Sequence, residues 1–117
     1  EGVEARLLGL NQLLRKIEAA EIFSDIPVII TGDFNAAPDS IEMKSIITSK
    51  KYRDLTADID FTFHDYGKTR EKIDYIFASG NIVCKNVKKW TDENNGVYLS
   101  DHYPVQADIS IGNGGVL

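Results

Sequence analysis

An acid and an amide stand two residues apart in Gly32-Asp33-Phe34-Asn35, directly after the β-branched run Ile26-Pro27-Val28-Ile29-Ile30. Side chains alternate along an extended chain, so Asp33 and Asn35 are expected on one side with Phe34 turned into the core. Hydrolysis of a phosphate ester needs a carboxylate to position or deprotonate the attacking water, and neutral donors to hold the developing oxyanion. Asp33 and Asn35 suit those two tasks, although an isolated Asp-x-Asn ahead of a proline is more often a turn cap. A second group, Ser100-Asp101-His102-Tyr103-Pro104, holds one of the two histidines in the chain. A histidine that polarises or protonates a phosphate oxygen needs its other ring nitrogen held by an acceptor. Asp74 lies in the apolar run Ile73-Asp74-Tyr75-Ile76-Phe77, where a carboxylate is costly without a partner. An Asp74–His102 pair is therefore expected. On the residues alone a second pairing stays open, with Asp74 bound to Lys72 or Arg70 and His102 satisfying a turn.

These groups need elements to carry them. Val3, Leu7, Leu10, Leu14 and Ile17 recur at steps of four and three, which predicts an amphipathic helix from Val3 to about Phe23. After a break at Ser24-Asp25, residues 26–30 read as a strand buried on both faces that stops at Thr31-Gly32. Asp39 is placed to cap a second helix, from about Ser40 to Ser49, with Glu42 reaching back in a capping box. Tyr52 to Lys72 lacks periodicity and reads as an irregular loop with a short extended stretch at Phe61-Thr62-Phe63. Strands are predicted at 73–77, 82–90 and 105–111, with a turn at 79–81 and a polar loop at 92–96.

The ordered set Gly32-Asp33-Phe34-Asn35, Lys72-Ile73-Asp74-Tyr75-Ile76-Phe77 and Ser100-Asp101-His102-Tyr103-Pro104-Val105 resembles the three C-terminal signature motifs of the endonuclease/exonuclease/phosphatase (DNase I-like) superfamily. Thr62-Phe63-His64 is similar to a feature of a bacterial branch of that family. The resemblance spans nearly the whole chain. It implies an α/β fold, the C-terminal half of a four-layer α/β sandwich, with one mostly antiparallel β-sheet flanked by helices over residues 1–111 and a flexible tail at 112–117. It also implies a metal-dependent phosphoesterase, a nuclease or other phosphodiesterase or a phosphomonoesterase, that acts by in-line attack of water. Asp33 would act on the water or the leaving group, Asn35 would hold the phosphate, His102 would bind the scissile phosphoryl group, and Asp74 would orient His102. Asp101 would contribute to the metal region, and the implied ion is Mg²⁺ or Mn²⁺, because hard oxygen ligands and phosphate favour these ions. His64 would line the substrate groove, against the alternative of an incidental loop histidine. Retention of Asp33, Asn35, Asp74, Asp101 and His102 together favours an enzyme over the alternative, an inactive phosphate- or nucleotide-binding or regulatory module of the same fold.

Composition narrows the partners. The 117 residues are 43% hydrophobic and 26% charged, as in ordinary globular domains. A net charge of −5 argues against a broad basic face that grips nucleic acid by counterion release. Lys85, Lys88 and Lys89 with Trp90 read as a solvated strand edge rather than an anion-binding strip. A lone cysteine, Cys84, allows neither an intrachain disulfide nor a thiolate metal cluster. The substrate is expected to be a phosphate ester, whether nucleic acid, nucleotide, inositol phosphate or phospholipid headgroup. The chain start reads as mid-domain, and the family's N-terminal half, with a metal-binding Glu, is expected as a further partner. Half a sandwich would leave an apolar sheet face bare, so self-association through that face is also expected, and without the metal-binding Glu low activity of the isolated chain is expected.

Overall fold

A computed structural model describes residues 2–20 and 26–111. Helix α1 covers Val3–Ala20 and turns Leu10, Leu14 and Ile17 toward the core, while Val3 at its start is largely solvated. The predicted helix end near Phe23, the break at Ser24-Asp25 and the tail at 112–117 lie outside the described residues. No helix among the described residues is long and apolar enough to cross a membrane.

Strand β1, Ile29–Asp33, begins later and runs further than its composition predicts. Its register is set by its partner β3, Asp74–Ser79, from Ile29 opposite Ala78 to Asp33 opposite Asp74. Pro27 has no N–H to give to a ladder, and the chain approaches β3 instead through Val28, whose N–H donates to Ser79 Oγ at 3.0 Å. The expected burial on both faces is not found: Ile30 is buried and Ile29 is 45% exposed. One side of β1 meets the helices and the other is open.

The second helix is a single 3₁₀ turn, Ile41–Met43, continued by α2, Lys44–Ile47. Its capping box does not form. Ser40 occupies the N-cap without a side-chain cap bond, and Glu42 turns to Arg6 of α1, whose Nε and a terminal nitrogen both lie 3.0 Å from one carboxylate oxygen. A guanidinium is a stronger partner for a buried carboxylate than a backbone amide, so Glu42 fastens α1 to the short helix.

Within the expected loop, Tyr52–Asp54 forms strand β2 on the free side of β3, giving a three-stranded antiparallel sheet in the order β1-β3-β2. Strand β4, Ile82–Lys89, pairs with the last strand, residues 105–111, with a register shift between Cys84 and Asn86. The polar loop at 92–96 is a small hairpin, β5 Glu93–Asn94 and β6 Val97–Tyr98, which makes the last strand β7. Its turn residues Asn95 and Gly96 have φ of 52° and 78°, the left-handed pair of a type I′ turn. The architecture is the expected α/β type with antiparallel pairing, its described strands divided among three sheets.

The core lies between the helices and the β1-β3-β2 sheet. Phe77 and Ile46 are completely buried, and Met43 and Tyr75 nearly so. Phe34 meets the rings of Tyr75 and Phe77 edge-on, at 5.4 and 5.7 Å between centroids. Each such side chain contributes about 1.5–3 kcal/mol on burial, which fixes β1 and β3 together and with them the two acids at their ends.

Candidate active site

The antiparallel register puts Asp33 at the end of β1 directly across from Asp74 at the start of β3. Two like charges opposite one another destabilise a ladder unless a cation intervenes. His102 lies between them and becomes that cation when protonated. Its Nδ1 lies 2.7 Å from Asp74 Oδ2, and its Nε2 lies 3.8 Å from Asp33 Oδ2. The first distance is a hydrogen bond; the second leaves a gap that a bridging water can span. Partial burial pulls the His102 pKa down. The hydrogen bond and charge of Asp74, with the charges of Asp33 and Asp101, more than offset this and hold it above its ordinary value.

The pairing of Asp74 with Lys72 or Arg70 does not occur. Lys72 is buried and is bonded to Asp54 at 3.3 Å and to the Thr56 carbonyl, while the Arg70 guanidinium lies over the Phe61 ring.

What brings His102 to Asp74 is the extended stretch around Thr62. The fully buried Thr62 accepts through Oγ1 the backbone N–H groups of Ile73 and Asp74, at 3.2 and 3.1 Å. Its carbonyl accepts the N–H of Tyr103 at 2.7 Å, and Phe63 forms an antiparallel bridge to His102 with its ring 4.9 Å from the imidazole. Ser100 Oγ accepts the His102 N–H at 3.1 Å. Sequence reasoning placed an extended stretch here but gave Thr62 and Phe63 no role at the site.

Asn35 is exposed and adopts a left-handed φ of 54°, so β1 ends before it and the simple alternation with Asp33 breaks. Its backbone N–H donates to Asp33 Oδ1 at 2.8 Å, which orients the carboxylate. Asp101 adjoins His102; its carboxylate accepts from Ser100 Oγ at 3.4 Å and its carbonyl holds the N–H of His64 at 2.9 Å. His64 does not line the groove. It is 3% exposed and packed against Tyr98 and Tyr103, each 4.4 Å away between ring centroids, because the stretch around it folds inward beneath the 98–103 segment. Lys89 is bonded to Asp60 at 2.7 Å over the Phe61 ring, and Lys88 lies over Trp90, so these lysines form no free anion strip.

Asp33, Asp74 and His102 line an open groove of about 390 Å³, with Thr31, Ile76 and Val105 along the bare sheet face. One ligating atom from each of the three lies within 4.8 Å of the others. The two carboxylates are hard oxygen donors of the kind Mg²⁺ and Mn²⁺ take. The imidazole is committed to Asp74 through Nδ1, so the fit to such an ion rests on carboxylate oxygens, with Asp101 outside the trio.

A histidine held by one acid and facing a second stands at the rim of an antiparallel sheet. The chain belongs to the Endonuclease/Exonuclease/phosphatase family, whose profile matches residues 2–102. Among solved structures, an endonuclease/exonuclease/phosphatase from Bacteroides vulgatus is 34% identical with a TM-score of 0.76, over 92% of this chain and 44% of that one. A functionally unknown conserved protein from Enterococcus faecalis is 26% identical with a TM-score of 0.77, over 93% and 45%. A mannosyl-6-phosphatase from Bacteroides thetaiotaomicron shares the fold at 20% identity and a TM-score of 0.76, over 92% and 46%. The chain thus spans less than half the length of these solved chains. No curated protein matches it.

Proposed function

We propose that the polypeptide carrying this chain hydrolyses phosphate esters by in-line attack of water, and that Asp33, Asn35, Asp74 and His102 do the chemistry. The observation that carries this reading is the 2.7 Å Asp74–His102 bond with Asp33 across the Nε2 side. Asp74 accepts the Nδ1 proton, and in the protonated ring Nε2–H, on the groove side, donates to a phosphoryl oxygen. Asp33, oriented by the Asn35 backbone N–H, positions the water and accepts its proton as the ester P–O bond breaks, the leaving alkoxide is protonated from solvent, and the Asn35 side chain is assigned to the phosphate. Mg²⁺ or Mn²⁺, held by carboxylates including Asp33 and approached by Asp101, would neutralise charge on the phosphoryl group. His64 is left without a substrate role.

Because the solved relatives are about twice as long, the activity is assigned to the polypeptide of family length, and the 117-residue chain alone is expected to turn over little. The test is Mg²⁺- and Mn²⁺-dependent hydrolysis of a generic phosphodiester and phosphomonoester by the long form, with His102→Ala and the short chain alongside. Activity abolished by His102→Ala supports the reading. Phosphate binding without any turnover would instead favour a recognition pocket.

A further inference from the structure

His102 stands on the wall between the groove and a second pocket of about 250 Å³ to which the chemistry above gives no task. The two also share Ser100, Tyr103 and Pro104, and the second is completed by Trp90, Asp92 and Leu99. We propose that this pocket receives the alcohol portion of the substrate and that the alcohol is a polyhydroxylated ring, so that the substrate is a sugar phosphate. The proposal rests on the phosphoesterase reading, since His102 must hold the phosphoryl group for the pocket beside it to hold what is esterified to it.

Three observations favour such a ring. The Trp90 indole is fixed, its backbone N–H donating to the Pro104 carbonyl at 2.8 Å and its Nε1–H to Gln106 Oε1 at 2.9 Å. Lys88 Nζ sits 4.4 Å from its centroid but does not line the pocket, and the residue is still 42% exposed. A rigid indole offers an apolar surface to the C–H face of a ring at little entropic cost. Asp92 is a solvated carboxylate at the same pocket, an acceptor with no proton to give, suited to ring hydroxyls. Finally, the volume lies just below the range of about 300–1,000 Å³ usual for ligand pockets, which suits one ring rather than a nucleoside. Asp92 and Glu93, on a chain of net charge −5, repel the further phosphates of a nucleic acid strand.

Trp90 is the one tryptophan in the 117 residues, so its fluorescence reports on the pocket whether or not the chain turns over. Titration of this chain with a hexose phosphate, ethyl phosphate and a nucleoside monophosphate should give a saturable change with the hexose phosphate at the lowest concentration. Asp92→Asn, an exposed near-isosteric change, should weaken that binding about tenfold. In the family-length polypeptide, Trp90→Ala and Asp92→Asn should each lower the kcat/KM preference for hexose phosphate over ethyl phosphate by a similar factor. A stronger response to the nucleotide, no response to any ring, or an unchanged preference in both variants overturns the sugar subsite. If no ester of any kind is hydrolysed, the phosphoesterase reading fails instead, and the fluorescence result still decides whether the pocket binds a sugar ring.

Discussion

At the scale of single residues the site is an electrostatic compromise. Asp33 and Asp74 face each other across a ladder, and His102 is the group whose protonation relieves them. Burial opposes the imidazolium, but Asp74, Asp33 and Asp101 raise its pKa above 6.5. A raised pKa means that the folded state binds the proton more tightly than the unfolded chain. The resulting stability is fully present below 6.5 and is lost as pH rises through the higher folded value. Thermal unfolding of wild type and His102→Gln across that window should therefore show a wild-type advantage at low pH that shrinks as pH increases; a constant difference would contradict it. Asp74→Asn should bring the His102 titration, followed by NMR, back toward or below 6.5, since the hydrogen bond and nearest charge are lost while the burial remains. If His102 is the donor to the phosphoryl group, the same change should lower kcat by about a hundredfold or more. An unshifted titration would show that Asp74 does not govern the ring.

At the scale of elements, the side chains of the candidate site come from a strand end, a strand start and a loop, and Thr62 ties the last two together. Thr62→Val keeps the shape and removes the acceptor, leaving the Ile73 and Asp74 N–H groups without that partner. The expected cost is about 1–3 kcal/mol in denaturant unfolding, with Thr62→Ser retaining most of the stability. Equal stability of the valine variant and wild type would mean that these bonds are replaced by others. This dependence was not legible in the sequence, because one threonine in an aperiodic stretch carries no pattern. The longer elements were legible: α1 through its spacing of Leu10, Leu14 and Ile17, β3 and β4 through their strand composition, and β7 through its apolar–polar alternation. Strand β2 has three residues and β5 and β6 two each, too few for periodicity, although Asn95-Gly96 is itself a hairpin signal. The extent of β1 depends on its pairing with β3, and the burial of His64 depends on tyrosines more than thirty positions away. The Asp74–His102 pair was legible because a carboxylate within an apolar strand demands a partner. The choice between His102 and Lys72 was not, since it turns on Asp54 claiming Lys72.

At the scale of the whole molecule the shape carries a consequence of its own. The chain is a slab of 47 × 40 × 19 Å, with helices on one face of the β1-β3-β2 sheet and the groove on the other. The open face is partly apolar, with Ile29 exposed beside the groove that Ile76 and Val105 line. In the isolated 117-residue chain this face should drive concentration-dependent self-association, visible as a rising mean mass in sedimentation equilibrium. Ile29→Lys places a charge on that face without touching the buried Ile30 side, so it should shift the equilibrium toward monomer while leaving the fold's circular dichroism intact. Addition of the remaining half of a family-length chain should have the same effect by covering the sheet. Sedimentation of wild type as a monomer at all concentrations would show that the polar groups around Asp33, Asp74 and His102 keep the face soluble, and would leave the groove open in the chain on its own.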